Sequence, residues 1–199
     1  MNNYNNLSPA DKHRKDMIIS ELIKDPRFDD EWVDAASTII LKKSLDNNFT
    51  DEVINMLDYN SSQLQVIANA ISNNIEGYEK VLNPQYNSTQ MSLLLTAIDQ
   101  QIPEEIVSKI YDPKIPYTTM NYIIEAYSKV QEDITDFALD RNYDPDQIFE
   151  LYSGVLWGLD YKKYMNPEID AETMGLCRHA LSLGMDFRYD SENKILTIK

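Results

Sequence analysis

Residues able to carry covalent or metal chemistry are few and scattered along this chain. It holds two histidines, His13 and His179, and a single cysteine, Cys177. Neither C-x-x-C nor H-E-x-x-H spacing occurs, so no metal site is expected. Cys177 and His179 stand two apart on an expected helix and point in different directions, which excludes a nucleophile–base pair. The lone thiol has no intramolecular disulfide partner, and nothing asks for an oxidising compartment. With five glycines in 199 residues, no phosphate-cradling loop, Rossmann fingerprint or nucleophile elbow is present. Paired acids do recur, at Asp29-Asp30-Glu31, Asp51-Glu52, Glu104-Glu105 and Glu132-Asp133. General acid–base work needs two carboxylates in unlike environments within a cleft. These pairs fall instead in first turns of expected helices, where negative charge complements the helix dipole. Asp144-Pro145-Asp146 lacks the glycine and terminal glutamate of a calcium loop. A protein that is not an enzyme, with no cofactor and no metal, is the expectation.

Charge narrows the partners. Eighteen Lys and Arg stand against thirty-three Asp and Glu, a net charge of −15. Attraction to phosphate backbones or anionic lipid needs clustered positive charge, so direct nucleic-acid and membrane-surface binding are not expected. The polar start Met1–Asn6 reads as no signal peptide. No apolar run nears the ~20 residues of a membrane span, and a cytoplasmic location is expected. Glu132, Asp133, Asp136, Asp140, Asp144, Asp146 and Glu150 form an acidic stretch interrupted by Arg141. Such a stretch either keeps the chain soluble or imitates phosphates toward a nucleic-acid-binding protein.

The elements that position these groups form a repeat. Asp25-Pro26-Arg27-Phe28, Asn83-Pro84-Gln85-Tyr86, Asp112-Pro113-Lys114-Ile115 and Asn166-Pro167-Glu168-Ile169 share one pattern, with weaker copies ending at Tyr59 and Tyr143. The landmarks Phe28, Tyr59, Tyr86, Ile115, Tyr143 and Ile169 are separated by steps of 31, 27, 29, 28 and 26 residues. Four apolar columns follow in register. They are Val33/Leu64/Met91/Met120/Ile148/Met174, Ala36/Ile67/Leu94/Ile123/Leu151/Cys177, the small column Ile39/Ala70/Ala97/Ala126/Gly154/Ala180, and Ile40/Ile71/Ile98/Tyr127/Val155/Leu181. Their offsets of 0, 3, 6 and 7 describe one stripe of an α-helix. The small column predicts a close approach between neighbouring helices. Asn60 with Gln63, Asn87 with Gln90 and Asp144 with Gln147 read as capping boxes. Pro145 suits a first helical position, whereas Pro116 occupies the cap column of its unit, so that helix must start differently. Shorter helices are expected at Asp51–Leu57, Gly77–Leu82, Glu104–Tyr111, Asp133–Leu139 and Tyr161–Met165, each stopped before the next break.

The fold class is therefore all-α: an α-solenoid of about six ~28-residue helix-turn-helix repeats with a short β-like C-terminal tail. One helical-repeat domain spans 1–190, with 1–23 as an N-terminal capping helix and 191–199 as the tail. Ile195-Leu196-Thr197-Ile198 after the turn-like Ser191–Lys194 predicts a hairpin.

Tyr164-Met165-Asn166-Pro167-Glu168-Ile169-Asp170-Ala171-Glu172-Thr173-Met174, followed by Leu181, Gly184, Met185 and Asp186, resembles a short helical repeat of gut Gram-positive bacteria and their mobile elements. Units there read approximately Tyr-Ala-Asn-Pro, an aromatic, an acid and Gln-Met, ending in Gly-Leu-Asp. The third unit shares Asn83-Pro84 and Gln90-Met91. The resemblance implies a helical scaffold linked to phage or plasmid biology, and supplies no catalytic residues.

Outward columns hold the candidate site. Val66, Leu93 and Tyr122 lie two past the first core column, and Leu95, Ile124 and Tyr152 four past it, the latter column suited to packing on the adjoining unit. Trp157 stands where other units carry Lys42, Asn73, Gln100 and Lys129. Rigid aromatic side chains dominate interface energetics. The expected function is non-enzymatic binding of a protein or peptide on the solenoid surface, through Tyr122, Tyr152 and Trp157. The alternative is an acidic, nucleic-acid-mimicking inhibitor of a DNA- or RNA-binding protein, of phage or plasmid counter-defence type, using Glu132, Asp133 and Asp136.

Overall fold

The computed structural model describes residues 7–43, 55–190 and 192–199, so Met1–Asn6 and the first part of the expected helix Asp51–Leu57 lie outside the described residues. The chain is mostly helical with a short two-stranded sheet at its C-terminus, and it divides into two compact units, Met1–Asp99 and Gln100–Lys199. The first unit carries α1 (Pro9–Leu22), α2 (Asp30–Lys42), α3 (Ser61–Ser72), a 3₁₀ turn (Tyr78–Val81) and α4 (Ser88–Asp99). The second carries α5 (Glu104–Val107) running into a 3₁₀ turn (Ser108–Ile110), α6 (Tyr117–Val130), α7 (Thr135–Ala138) and α8 (Pro145–Leu156). A 3₁₀ turn (Tyr161–Lys163), α9 (Ala171–Ser182), β1 (Phe187–Asp190) and β2 (Ile195–Ile198) complete it.

Helix starts follow from side chains that satisfy orphan amides. Ser8 and Asp29 accept from Asp11 N and Trp32 N ahead of α1 and α2. The three reciprocal boxes form: Asn60 with Gln63, Asn87 with Gln90 and Asp144 with Gln147. α6 starts after Pro116 without a side-chain cap. The break between units is a hydrogen-bonded turn. Asp25, Asn83, Asp112, Asp140 and Asn166 each accept from the amide two residues on. Every landmark amide, from Phe28 to Ile169, donates to the carbonyl three residues back. Asp140 stands in that turn although no proline follows it, so the Asx side chain sets the break as much as proline does.

The first three sequence columns are buried in all six copies, and the fourth is buried at Ile40 and Val155 and half-buried elsewhere. Each such aliphatic side chain contributes roughly 1.5–3 kcal/mol. The second halves are shorter than expected, single turns of α or 3₁₀ helix. Segments of three to seven residues between two breaks cannot repay helix nucleation, so packing alone holds them. They carry a further buried column: Val81, Ile110, Ala138 and Tyr164.

Tyr164 is fully buried, and a Cβ placed on Gly154 would come within 2.0 Å of its Oη. At Gly154 the small column therefore makes room for the aromatic ring of the following turn, rather than for a neighbouring long helix. Past the helix ends, Asn74, Gln101, Gln131, Gly158 and Gly184 take left-handed backbone. Behind three of them, Ile75, Leu159 and Met185 amides close on Ala70, Gly154 and Ala180 carbonyls, a Schellman arrangement with its hydrophobic residue.

The hairpin pairs Phe187 with Ile198 and Asp190 with Ile195, and the ladder continues through Asp186 and Lys199. It thus begins ahead of the expected tail boundary at 191, because Phe187 seats its ring 6.5 Å from that of Tyr164.

Candidate partner-binding surface

The buried glutamines make the joints on which any surface rests. In each capping box the Gln Oε1 accepts from the cap amide, which leaves its Nε2 free to donate elsewhere. Gln63 Nε2 donates to Pro84 O at 3.0 Å and to Tyr86 O. Gln147 Nε2 donates to Pro167 O at 3.0 Å and to Ile169 O at 2.6 Å. One side chain thus caps its own helix and clamps the turn ahead of the next long helix, a dual role that the capping-box spacing alone does not reveal.

On α6 and α8 this joint presents aromatic rings. Tyr122 and Tyr152 stack at 4.4 Å with their planes 21° apart, and Phe149 tilts against Tyr122 at 6.1 Å. Tyr152 is only 6% exposed, and its hydroxyl donates to Glu125, which Lys129 also holds. Burial, then the Glu125 hydrogen bond, push the Tyr152 phenol far above its ordinary range. The hydrogen bonds of Lys129 and Tyr152 hold the Glu125 carboxyl below its own. Tyr152 is thus a support under the surface, with little of its ring left for a partner, as befits its column. Tyr122 is half-buried, while Phe149 stands 44% exposed and Tyr117 is also exposed. Phe149 is absent from the sequence candidates, although its position directly after a core residue, three past Asp146, was the available signal.

Trp157 lies at the C-cap of α8, 58% exposed. Arg178 places its guanidinium 4.5 Å from the indole centroid while its Nε donates to Glu150 at 2.7 Å. The Glu150–Arg178 pair is largely shielded, and one indole face already has a cation.

The acidic candidates are held by local bonds. Glu132 accepts from the Tyr161 hydroxyl at 3.0 Å; burial first, and this bond second, push that phenol up to about 12. Asp133 accepts from Thr135 N and Oγ1 at 2.9 and 2.6 Å, with Lys109 at 3.5 Å. Burial alone would raise the Asp133 carboxyl, but the Thr135 and Lys109 contacts together bring it below its usual range. Asp136 is exposed in the first turn of α7. Further along the stretch, Asp140 holds its Asx turn and Asp144 caps α8.

In the first unit the corresponding outer side carries hydroxyls, acids and Val66 in place of rings. The starts of α2, α3 and α4 line a groove of about 720 Å³ with Asp30, Glu31, Asp34, Ser61, Ser88 and Thr89 among its walls. Asp34 there is paired with the buried Lys15 at 2.7 Å. Cys177 is fully buried, and burial pushes its thiol up to about 11, which leaves it inert at neutral pH. Among the described residues no cluster of His, Cys, Asp and Glu could hold a metal, and no helix is long and apolar enough to cross a membrane.

No family model matches this sequence, and neither curated proteins nor solved structures returned a match. The arrangement on α6 and α8 is one of exposed rings beside a hydrogen-bonded, stacked pair.

Proposed function

We propose that this protein is a non-enzymatic α-solenoid scaffold of about six ~28-residue units that binds a protein or peptide on its surface. The observation that carries this reading is the α6–α8 face, where the exposed Phe149 tilts against Tyr122, which stacks on a Tyr152 that Glu125 already holds, so less ordering remains to be done when a partner arrives. The recurring landmark turn and the two glutamine clamps support the repeat assignment. The resemblance of the sixth unit to the bacterial repeat agrees with a scaffold role. A nucleic-acid mimic would need carboxylates held free at phosphate-like spacing, whereas Glu132 accepts from the Tyr161 hydroxyl and Asp133, Asp140, Asp144 and Glu150 serve a cap, turns and an ion pair. That favours the scaffold over the mimic.

Immobilised protein offered a lysate at about 0.15 M and about 0.5 M NaCl, with and without duplex DNA, separates the two. The scaffold reading expects a partner that survives salt and DNA and is lost from a Phe149→Ser, Tyr122→Leu double variant. A partner displaced by DNA and by salt, and indifferent to the double variant, would sink it.

A further inference from the structure

Twice this molecule solves the same recognition problem within itself. Arg178 lies over the Trp157 ring while Glu150 holds its Nε. Arg27 lies 5.5 Å from the Phe28 centroid while Asp25 holds its guanidinium through two nitrogens, at 2.9 and 2.6 Å. In both, a ring supplies the flat apolar contact and a carboxylate the charge, the pairing that suits a planar, weakly hydrated guanidinium.

The α6–α8 face has the ring and the carboxylate but no guanidinium of its own. Tyr122 and Phe149 form an open angle of 49°, and Phe149 follows the exposed Asp146 by three residues on one face of α8. Asp146 lies close enough to Tyr122 that, after burial, its charge is the largest influence raising that phenol. The nearby base, Lys129, is taken by Glu125. Among the described residues no cation lies over either ring. On a chain of net charge −15 this leaves an apolar aromatic face rimmed by negative charge.

We propose that the Tyr122–Phe149–Asp146 face receives a single arginine side chain of the partner protein. This rests on the scaffold reading and names the partner's chemistry. Arginine is preferred over lysine because the planar group can lie flat on Phe149 and still bond Asp146, whereas an ammonium does one or the other.

The probe is a capped peptide, Gly-Arg-Gly-Arg-Gly, beside its Lys and citrulline counterparts, titrated into the ¹⁵N-labelled full chain. The expected result is amide shifts concentrated on 117–125 and 145–152, larger for Arg than Lys and absent for citrulline. Phe149→Ser and Asp146→Asn should each weaken the Arg peptide roughly two- to fivefold. Both side chains are exposed, and the Asp146 carboxylate takes no part in the Asp144 cap, so folding is not at stake. Shifts spread evenly over the acidic surface, equal response to Arg and Lys, or affinity unchanged in both variants would overturn the site. If the site falls while wild type still retains a salt-resistant lysate partner, the scaffold reading survives on another face. If no such partner exists either, both fall.

Discussion

The same joint is built twice, at Gln63 in the first unit and at Gln147 in the second, yet it faces solvent with different side chains. Both glutamines cap a helix and clamp the carbonyls of the next turn. Over the first, serines, a threonine and acids line an open groove together with Val66; over the second, two aromatic rings stack and a third tilts against them, exposed. Shared positions thus answer to the backbone, which must close its hydrogen bonds at each turn, and unshared ones are left without that constraint. Function is to be sought where copies differ.

The largest expected effect tests how tightly the shared positions are specified. Gly154→Ala forces a methyl against Tyr164, whose hydroxyl donates to Glu150 O at 3.3 Å, so neither ring nor turn can yield cheaply. A loss of about 3 kcal/mol in chemical denaturation is expected, the upper range for overpacking. In these two columns the second repeat carries Ala70 and Val81. The double variant Gly154→Ala, Tyr164→Val should therefore lose at least about 1 kcal/mol less than the two singles summed. Strict additivity would mean that the columns do not compensate each other.

Next come the clamps themselves. Gln63→Leu and Gln147→Leu each strand a cap amide and two turn carbonyls, at a cost of about 2 kcal/mol. The comparison predicts equal losses, read by hydrogen exchange of the Tyr86 and Ile169 turns. A loss confined to one of them would break the equivalence of the joints.

A smaller effect separates the aromatic support from the polar side. Tyr152→Phe removes the hydroxyl bond to a partly exposed carboxylate and should cost about 1.5 kcal/mol near neutral pH. Glu125 is held below its ordinary range in the folded chain, so on acidification the unfolded chain takes up its proton first. The stability due to Glu125 is thus present above the usual glutamate range and lost as pH falls through the lower folded value. Denaturation curves across that window should be less steep in pH for Tyr152→Phe than for wild type. An unchanged slope would show that Lys129 alone sets the Glu125 charge.

Much of this was legible in advance, for reasons that particular residues make plain. A helix of twelve residues repeats its buried positions often enough that Met91, Leu94 and Ala97 declare the core. The capping boxes were readable because both partners lie within one turn. The column Val81, Ile110, Ala138 and Tyr164 was not, since single turns, even where they bury Thr135, Phe137 and Ala138 together, are too short to show a period. Nor could the glutamine clamps be read, because the acceptors are carbonyls some twenty residues on, which every residue type carries. In the outer columns Tyr122 was singled out and lies half-buried beside Phe149, whereas Trp157 looked freer than it is. Its cation comes from Arg178, beyond the reach of any helical spacing.

The smallest effect on stability carries the sharpest test of the comparison. Phe149→Ser removes an exposed ring that tilts against Tyr122, and Tyr152 still stacks on Tyr122. Stability should change by no more than about 0.5 kcal/mol, as at other surface positions. If the second unit's outer side exists for recognition, this nearly silent change is the one that should cost affinity for an arginine peptide. Ser88→Ala, in the groove of the first unit, should be equally silent in folding and cost no such affinity. A Phe149 variant that unfolds the second unit, as read by urea denaturation, would instead return the ring to the class of shared, structural positions. The contrast between the two joints would then be one of packing alone.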